Sequence, residues 1–246
     1  MDALVTRGLN VLIQYAPYWA IDWYMTNFVV KTDHDLLGLR PNYGPSAQHI
    51  MVNDDFPNRV LSGLIKIAPD IKCFGPNSVT FVDGTKVEDL DAVILATGYV
   101  FGFPFLPESI VKVEKNEVDL YKLIFPVNLK HQTLAIIGCI QPVGAIMPIS
   151  ELQSRWVVQV FNNDLKLPAK AIQMKEVQER RAVMKARYTA SQRHTIQVDG
   201  VVYMDEMATE VGCMPSIVKM WQDKEYRSVF FFNSSTIHPV FDKVVV

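Results

Sequence analysis

Asp91-Ala-Val-Ile-Leu-Ala-Thr-Gly98 is a short, uninterrupted apolar run, rich in branched side chains, that stops at a small residue pair and a glycine. Such a run suits a strand buried on both faces, as in a parallel sheet covered by helices. Thr133-Leu-Ala-Ile-Ile-Gly138 repeats the design. Two buried strands that end in glycine predict an open α/β sheet. Ligands of such sheets sit outside the carboxyl ends of the strands.

Upstream, Ser78–Val82 and Thr85–Val87 are strand-like runs separated by Asp83-Gly84. Two residues tolerant of positive φ predict a hairpin with a type I′ turn. Before that lies a polar, turn-rich connection from Lys31 to Pro57, a length that is usually functional or partner-facing. Within it, Asp54-Asp55 reads as a turn before Phe56-Pro57 rather than as paired carboxylates. The stretch from Gly8 to Val30 carries one charge, Asp22, and six aromatic rings. Spanning a membrane would place that carboxylate in hydrocarbon, at a cost of roughly 2.5–3.5 kcal/mol. Two readings stay open: a buried helix broken at Pro17, or a helix lying in a membrane interface with Trp and Tyr at headgroup depth.

Downstream, Ser150–Phe161 predicts a helix with Ser150 as N-cap and Leu152, Trp156, Val157 and Val160 on one face. Ala171–Tyr188 predicts a second, largely solvated helix. Met204, Met207, Met214 and Trp221 stand at helical spacings that most often mean core packing.

The whole composition is that of a folded protein: 246 residues, 49% hydrophobic, 20% charged, net charge −2. Disorder is excluded, and a near-neutral chain lacks the basic face that nucleic acid would require. The start shows no signal peptide. Three widely spaced cysteines (Cys73, Cys139, Cys213) fit a reducing compartment. The five histidines are scattered, so no metal site has local support. The twelve glycines never fall two apart, so no G-x-G-x-x-G is present to wrap a dinucleotide pyrophosphate. The P-loop and G-x-S-x-G are absent as well. The residues alone imply an α/β ligand-binding domain.

One ordered set of motifs goes further. Asp91–Gly98 continues as Tyr99-Val-Phe-Gly-Phe-Pro-Phe-Leu106 and is followed by Leu120-Tyr-Lys-Leu-Ile-Phe-Pro126. Then come Leu134-Ala-Ile-Ile-Gly-Cys-Ile-Gln-Pro-Val-Gly-Ala-Ile-Met-Pro148, Glu151-Leu-Gln-Ser-Arg-Trp156 and Tyr203-Met-Asp-Glu206. Upstream stands Val52-Asn-Asp-Asp-Phe-Pro57. Together these resemble the flavin-containing monooxygenases over about residues 1–232. Members of that family are longer and begin with two glycine loops that this sequence lacks. The resemblance therefore implies a C-terminal portion: a partial, Rossmann-like two-dinucleotide-domain flavoprotein fold with a C-terminal helical region, cut at both ends. It divides the chain into the rest of the NADPH-domain insertion (1–60), the end of that domain with the return to flavin-domain strands (61–165), and a helical region with a divergent tail (166–246).

The activity implied is a two-electron oxygenation of amine nitrogens or sulfides that uses NADPH, FAD and dioxygen, with the cofactor carrying the chemistry. No acid–base constellation is then needed, and no catalytic side chain is assigned. By the same resemblance, Ala96, Thr97, Gly98 and Tyr99 would lie where the two dinucleotide domains meet, and Gly138 and Gln141 near the flavin. Plain alternatives are a tight strand-to-loop turn for Thr97-Gly98 and an exposed loop amide for Gln141. The aromatic segment would fall where animal members touch the cytosolic face of the endoplasmic reticulum membrane, which favours the interfacial reading, although no tail anchor is present. Homo-oligomerisation is a further expectation. So is association or aggregation through strand edges left without neighbours. Two other readings remain: a truncated, non-catalytic isoform or gene-model fragment that associates with membrane or with a full-length subunit, and a relative of the Baeyer–Villiger oxygenases.

Overall fold

A computed structural model describes residues 16–30, 32–49, 53–142, 145–189 and 192–214, with isolated positions at 216 and 222. The tail after 222, the beginning of the aromatic segment and Trp221 lie outside the described residues. The chain divides into two compact units, one of Asp22–Tyr99 and one of Val100 onward with the residues up to Ile21.

The helix α1 (Tyr18–Tyr24) begins immediately after Pro17, whose carbonyl accepts from Ala20 N–H at 2.9 Å. It runs into a single π-helical turn, Met25–Val29. Among the described residues of this segment the buried-helix reading is overturned: Trp19 is 74% exposed, and Trp23, Tyr24 and Phe28 are exposed as well. Phe28 lies against Trp23 edge-on and stacks on Tyr24, so the rings cover one another rather than a core. Among the described residues no helix is long and apolar enough to cross a membrane.

Asp22 is engaged within its own unit. Its Oδ1 accepts from Ser46 N–H at 2.8 Å and so holds the 3-10 turn Pro45–Ala47. Farther on, Asn53 Oδ1 accepts from the N–H groups of Asp55 and Phe56 and opens the short helix α2 (Phe56–Leu61). Asp54-Asp55 is thus part of a turn, as expected.

Three antiparallel strands follow: β1 (Ile71–Phe74), β2 (Val79–Phe81) and β3 (Lys86–Val87), in that order across the sheet. The expected hairpin is present, but its loop has three residues instead of two. Phe81 N–H donates to Thr85 O at 2.9 Å and Gly84 N–H to Phe81 O at 3.0 Å. Only Gly84, at φ 87°, takes the left-handed conformation, because Asp83 instead bonds Thr85 N–H through its side chain. This is the turn-plus-αL-residue loop, not the type I′ turn.

The run 91–98 is a correction. It forms no strand among the described residues, and every residue from Asp91 to Tyr99 is exposed, Ile94 by 90% and Leu95 by 72%. A strand meant for burial on both faces needs neighbours on both edges, and no described segment pairs with it. Stretch 133–138 likewise carries no ladder, although Ile136 N–H reaches Ile124 O at 2.9 Å and the run packs partly into a core.

The second unit has a true core. The hairpin β4 (Val113–Glu114) and β5 (Glu117–Val118) turns on Lys115-Asn116, both left-handed. Hairpin β6 (Leu120–Tyr121) and β7 (Phe125–Pro126) turns on Lys122–Ile124, with Lys122 and Leu123 at φ 50° and 57°. Strand β8 (Gln141–Pro142) pairs in parallel with β9 (Gln197–Val198), a crossover that encloses α3 (Met147–Phe161) and α4 (Lys170–Arg187). Helix α5 (Gly200–Val211) ends at Gly212, left-handed at φ 79°. The whole is a mixed α/β arrangement, with helices over short strands.

Helix α3 buries the predicted face, Leu152, Trp156, Val157 and Val160, together with Ile149 and Gln153. Trp156 packs on Phe125 edge-on at 5.2 Å between ring centres and on Tyr121 at 6.0 Å. The helix starts three residues earlier than expected, with Pro148 in its first turn. Ser150 therefore lies inside it and caps nothing, since Pro, with its fixed φ, opens the helix instead. Helix α4 is mostly solvated, as read, and α5 buries Met204 and Met207. Met214, by contrast, is 37% exposed.

Candidate functional site

The expected site residues fall in both units. Ala96, Thr97, Gly98 and Tyr99 end the first; all are exposed, Tyr99 by 97%. Gly98 adopts φ 87°, a conformation only glycine takes without strain. Gly138 and Gln141 belong to the second unit and are half-buried. Gln141 sits in β8, its N–H donating to Ile196 O at 2.8 Å, so its backbone is that of a paired strand and not of an exposed loop.

Gly138 is held from below. At φ 79° it turns the chain between the 133–138 run and β8, and its N–H donates to Gln153 Oε1 at 2.9 Å. A Cβ at this position would meet only Ser150 Oγ, at 3.5 Å, so conformation rather than crowding calls for glycine. Gln153 Nε2 donates to Tyr203 Oη at 2.8 Å, and Tyr203 Oη donates to Lys122 O at 2.6 Å. Beside it Cys139 is buried enough that its thiol is pushed up to about 11 and stays protonated at neutral pH.

Lys122 anchors the far end. Its N–H donates to Glu176 Oε2 at 3.2 Å, and its Nζ meets Glu206 at 2.6 Å and Glu210 at 3.1 Å. Arg180 bonds Glu176 and Glu206 from the other side. Burial opposes charge on all three buried members, but the pairing wins. Glu206 is held below the ordinary carboxylate range by Arg180 and Lys122, and both cations are held above theirs. Burial raises the Tyr203 phenol, so it remains a neutral donor. None of Lys122, Gln153, Tyr203, Glu176, Arg180 or Glu206 was given a site role from sequence, although four of them stand in the motifs that carry the family resemblance. The available signal was Gln153, a polar residue in the apolar stripe of α3, and the i, i+3 pair Tyr203/Glu206.

Elsewhere an open cavity of about 290 Å³ is lined by Lys112, Lys115 and Arg181 against Glu114, Glu117 and Asp119. Three cations face three anions, so it has no net charge to attract phosphate. Among the described residues no cluster of His, Cys, Asp or Glu could hold a metal.

Comparison with known proteins is decisive for the family: residues 1–238 match the flavin-binding monooxygenase-like family. The chain belongs to that family. It is 50% identical to flavin-containing monooxygenase 5 of Homo sapiens over 190 residues, 77% of this chain and 36% of the relative. Flavin-containing monooxygenase 2 of Homo sapiens is 41% identical over 211 residues, 86% of this chain and 39% of the relative. The dimethylaniline monooxygenase [N-oxide-forming] 2 of Rattus norvegicus is 38% identical over 216 residues, 87% of this chain and 40% of the relative. Among solved structures, S-allyl-L-cysteine S-oxygenase from Allium sativum is 31% identical, with a TM-score of 0.49, over 65% of this chain and 35% of that one. The chain thus spans a little over a third of the length of the curated relatives it matches.

The family points to a dinucleotide cofactor, and the described residues do not by themselves fit one. Gly138 N–H, the amide a phosphate or ring oxygen could use, is committed to Gln153. The Ala96–Tyr99 stretch is exposed throughout. The G-x-G-x-x-G that usually closes a backbone on a pyrophosphate is absent from this sequence.

Proposed function

We propose that this chain supplies a portion of a flavin monooxygenase that oxygenates soft nucleophiles, amines at nitrogen or sulfides at sulfur. The overall balance is NADPH, a proton, dioxygen and substrate to NADP⁺, water and the N- or S-oxide. FAD, when bound in a complete family enzyme, would supply the oxygen activation. This chain contributes turns and packing, with Ala96–Tyr99, Gly138 and Gln141 as the residues nearest the cofactors. Family membership supports the reading, as does the N-oxide-forming activity that the rat relative's name carries.

One observation carries the second half of the proposal: Gly98 and Gly138 take left-handed conformations, but the described residues build no dinucleotide cradle. The chain alone therefore neither retains FAD nor consumes NADPH. Purification in the presence of FAD, gel filtration, and measurement of flavin absorbance and NADPH oxidation test this. The expected result is protein free of stoichiometric flavin and without NADPH turnover. A one-to-one flavin complex after filtration would overturn it.

The exposed aromatic rings of α1 and its π turn favour a companion reading, in which this face meets the cytosolic surface of the endoplasmic reticulum membrane. That reading extends to a non-catalytic role through association with membrane or with a full-length subunit. Sedimentation with phospholipid vesicles, with and without Trp19→Ala and Trp23→Ala, checks it; equal pelleting of both forms would sink it.

A further inference from the structure

The contacts between Gly138 and Lys122 form a hydrogen-bonded line whose direction is fixed at both ends. Gly138 N–H can only donate, and Lys122 C=O can only accept. Gln153 must therefore present its oxygen to Gly138 and its NH₂ to Tyr203, and Tyr203 must send its hydroxyl proton to Lys122. Both intermediate side chains are buried, Gln153 completely and Tyr203 to 2% exposure, so water replaces neither partner. The far end is itself unusual, because Lys122 and Leu123 are consecutive left-handed residues without being glycine. Such a conformation persists only where its surroundings over-determine it. Here Glu176 holds the Lys122 N–H, Tyr203 its C=O, and Glu206 and Glu210 its ammonium.

We infer that Gln153 and Tyr203 are positioning residues, which set the bend at Gly138 that leads into β8 by tying it to the clamped Lys122–Leu123 turn. Neither is a catalytic residue. The functional weight of the assignment rests on the proposed reading, in which that bend lies beside the cofactor; the physical coupling does not. Helix α3 supplies the glutamine and α5 the tyrosine, so the α5 helix, remote in sequence, determines where a backbone amide on the bend points.

Hydrogen exchange in the full chain, read by mass spectrometry on a fragment that isolates the Gly138 amide, tests the coupling. Tyr203→Phe removes one oxygen and keeps the ring; Gln153→Leu removes the amide. Val177→Ala, on α4 in the same core but outside the line, serves as the control for general loss of core packing. The expected result is exchange at Gly138 about five- to tenfold faster in Tyr203→Phe and Gln153→Leu than in Val177→Ala. The double variant should exchange no faster than Gln153→Leu alone, since one line is cut twice. Unchanged exchange in Tyr203→Phe, or acceleration equal to that of Val177→Ala, would overturn the assignment. Should Gln153→Leu fail to fold, Tyr203→Phe carries the test by itself. No flavin enters the measurement, so its outcome and that of the flavin-retention experiment are independent.

Discussion

At Gly44 the reason for glycine is steric. A Cβ there would fall 2.0 Å from Asp22 Oδ2, in the space the carboxylate occupies while it accepts from Ser46 N–H. Gly44→Ala should push that carboxylate aside and lose the bond, at about 0.5–1.5 kcal/mol. Asp22→Ala should cost a similar amount, and the double variant little more than either single one. Urea unfolding followed by Trp fluorescence checks this, and strict additivity would refute it. The sequence offered Asp22 only as a charge that spoke against a spanning helix. Its partner lies 24 residues away, and nothing in local spacing encodes a capping contact at that separation. Gly98 and Gly138 were easier to read, since each ends an apolar run and each proves left-handed.

Helix α3 was legible because its apolar stripe recurs at a 3.6-residue period, and α4 as a run rich in Glu, Lys and Arg. Of α5 only the helical spacing of Met204 and Met207 was read. The ion cluster was not legible, because its members come from β6–β7, α4 and α5 and meet only after packing. Its effect on stability has a definite sign. Glu206 is held below the ordinary carboxylate value of about 4.5, since Arg180 and Lys122 outweigh its burial. A carboxyl depressed in the folded state contributes stability above its unfolded value, and that contribution is lost as pH falls through the folded one. Glu206→Gln should therefore cost about 1–3 kcal/mol at pH 7. The gap to the unaltered chain should close as pH drops below about 4.5. Urea midpoints at pH 7, 5, 4 and 3 would show the two curves converging; parallel curves would remove Glu206 from the cluster's energetics.

Across the whole molecule the two units differ in what they bury. Among the described residues of Asp22–Tyr99, only Leu37 and Val79 are buried apolar side chains, whereas the other unit packs around Trp156, Phe125, Ile149 and Met207. The 91–98 run has the composition of a buried strand, but among the described residues it is neither a strand nor buried, because composition cannot state whether neighbours are supplied. An exposed apolar run with an unpaired backbone is a template for association. Ile94→Lys should accordingly reduce self-association measured by sedimentation velocity, without changing the near-ultraviolet signature of the Trp156 core. Identical sedimentation of the two proteins would locate the sticky surface elsewhere. The core itself closes across a long reach of chain: Tyr203 finds Lys122 from 81 residues away. At a synthesis rate of about 5–20 residues per second, the Lys122 turn waits roughly 4–16 seconds on the ribosome for the helix that clamps it. Until then its left-handed pair lacks the part of its brace that α5 supplies, and the Trp156 face of α3 stands open to whatever the nascent chain encounters.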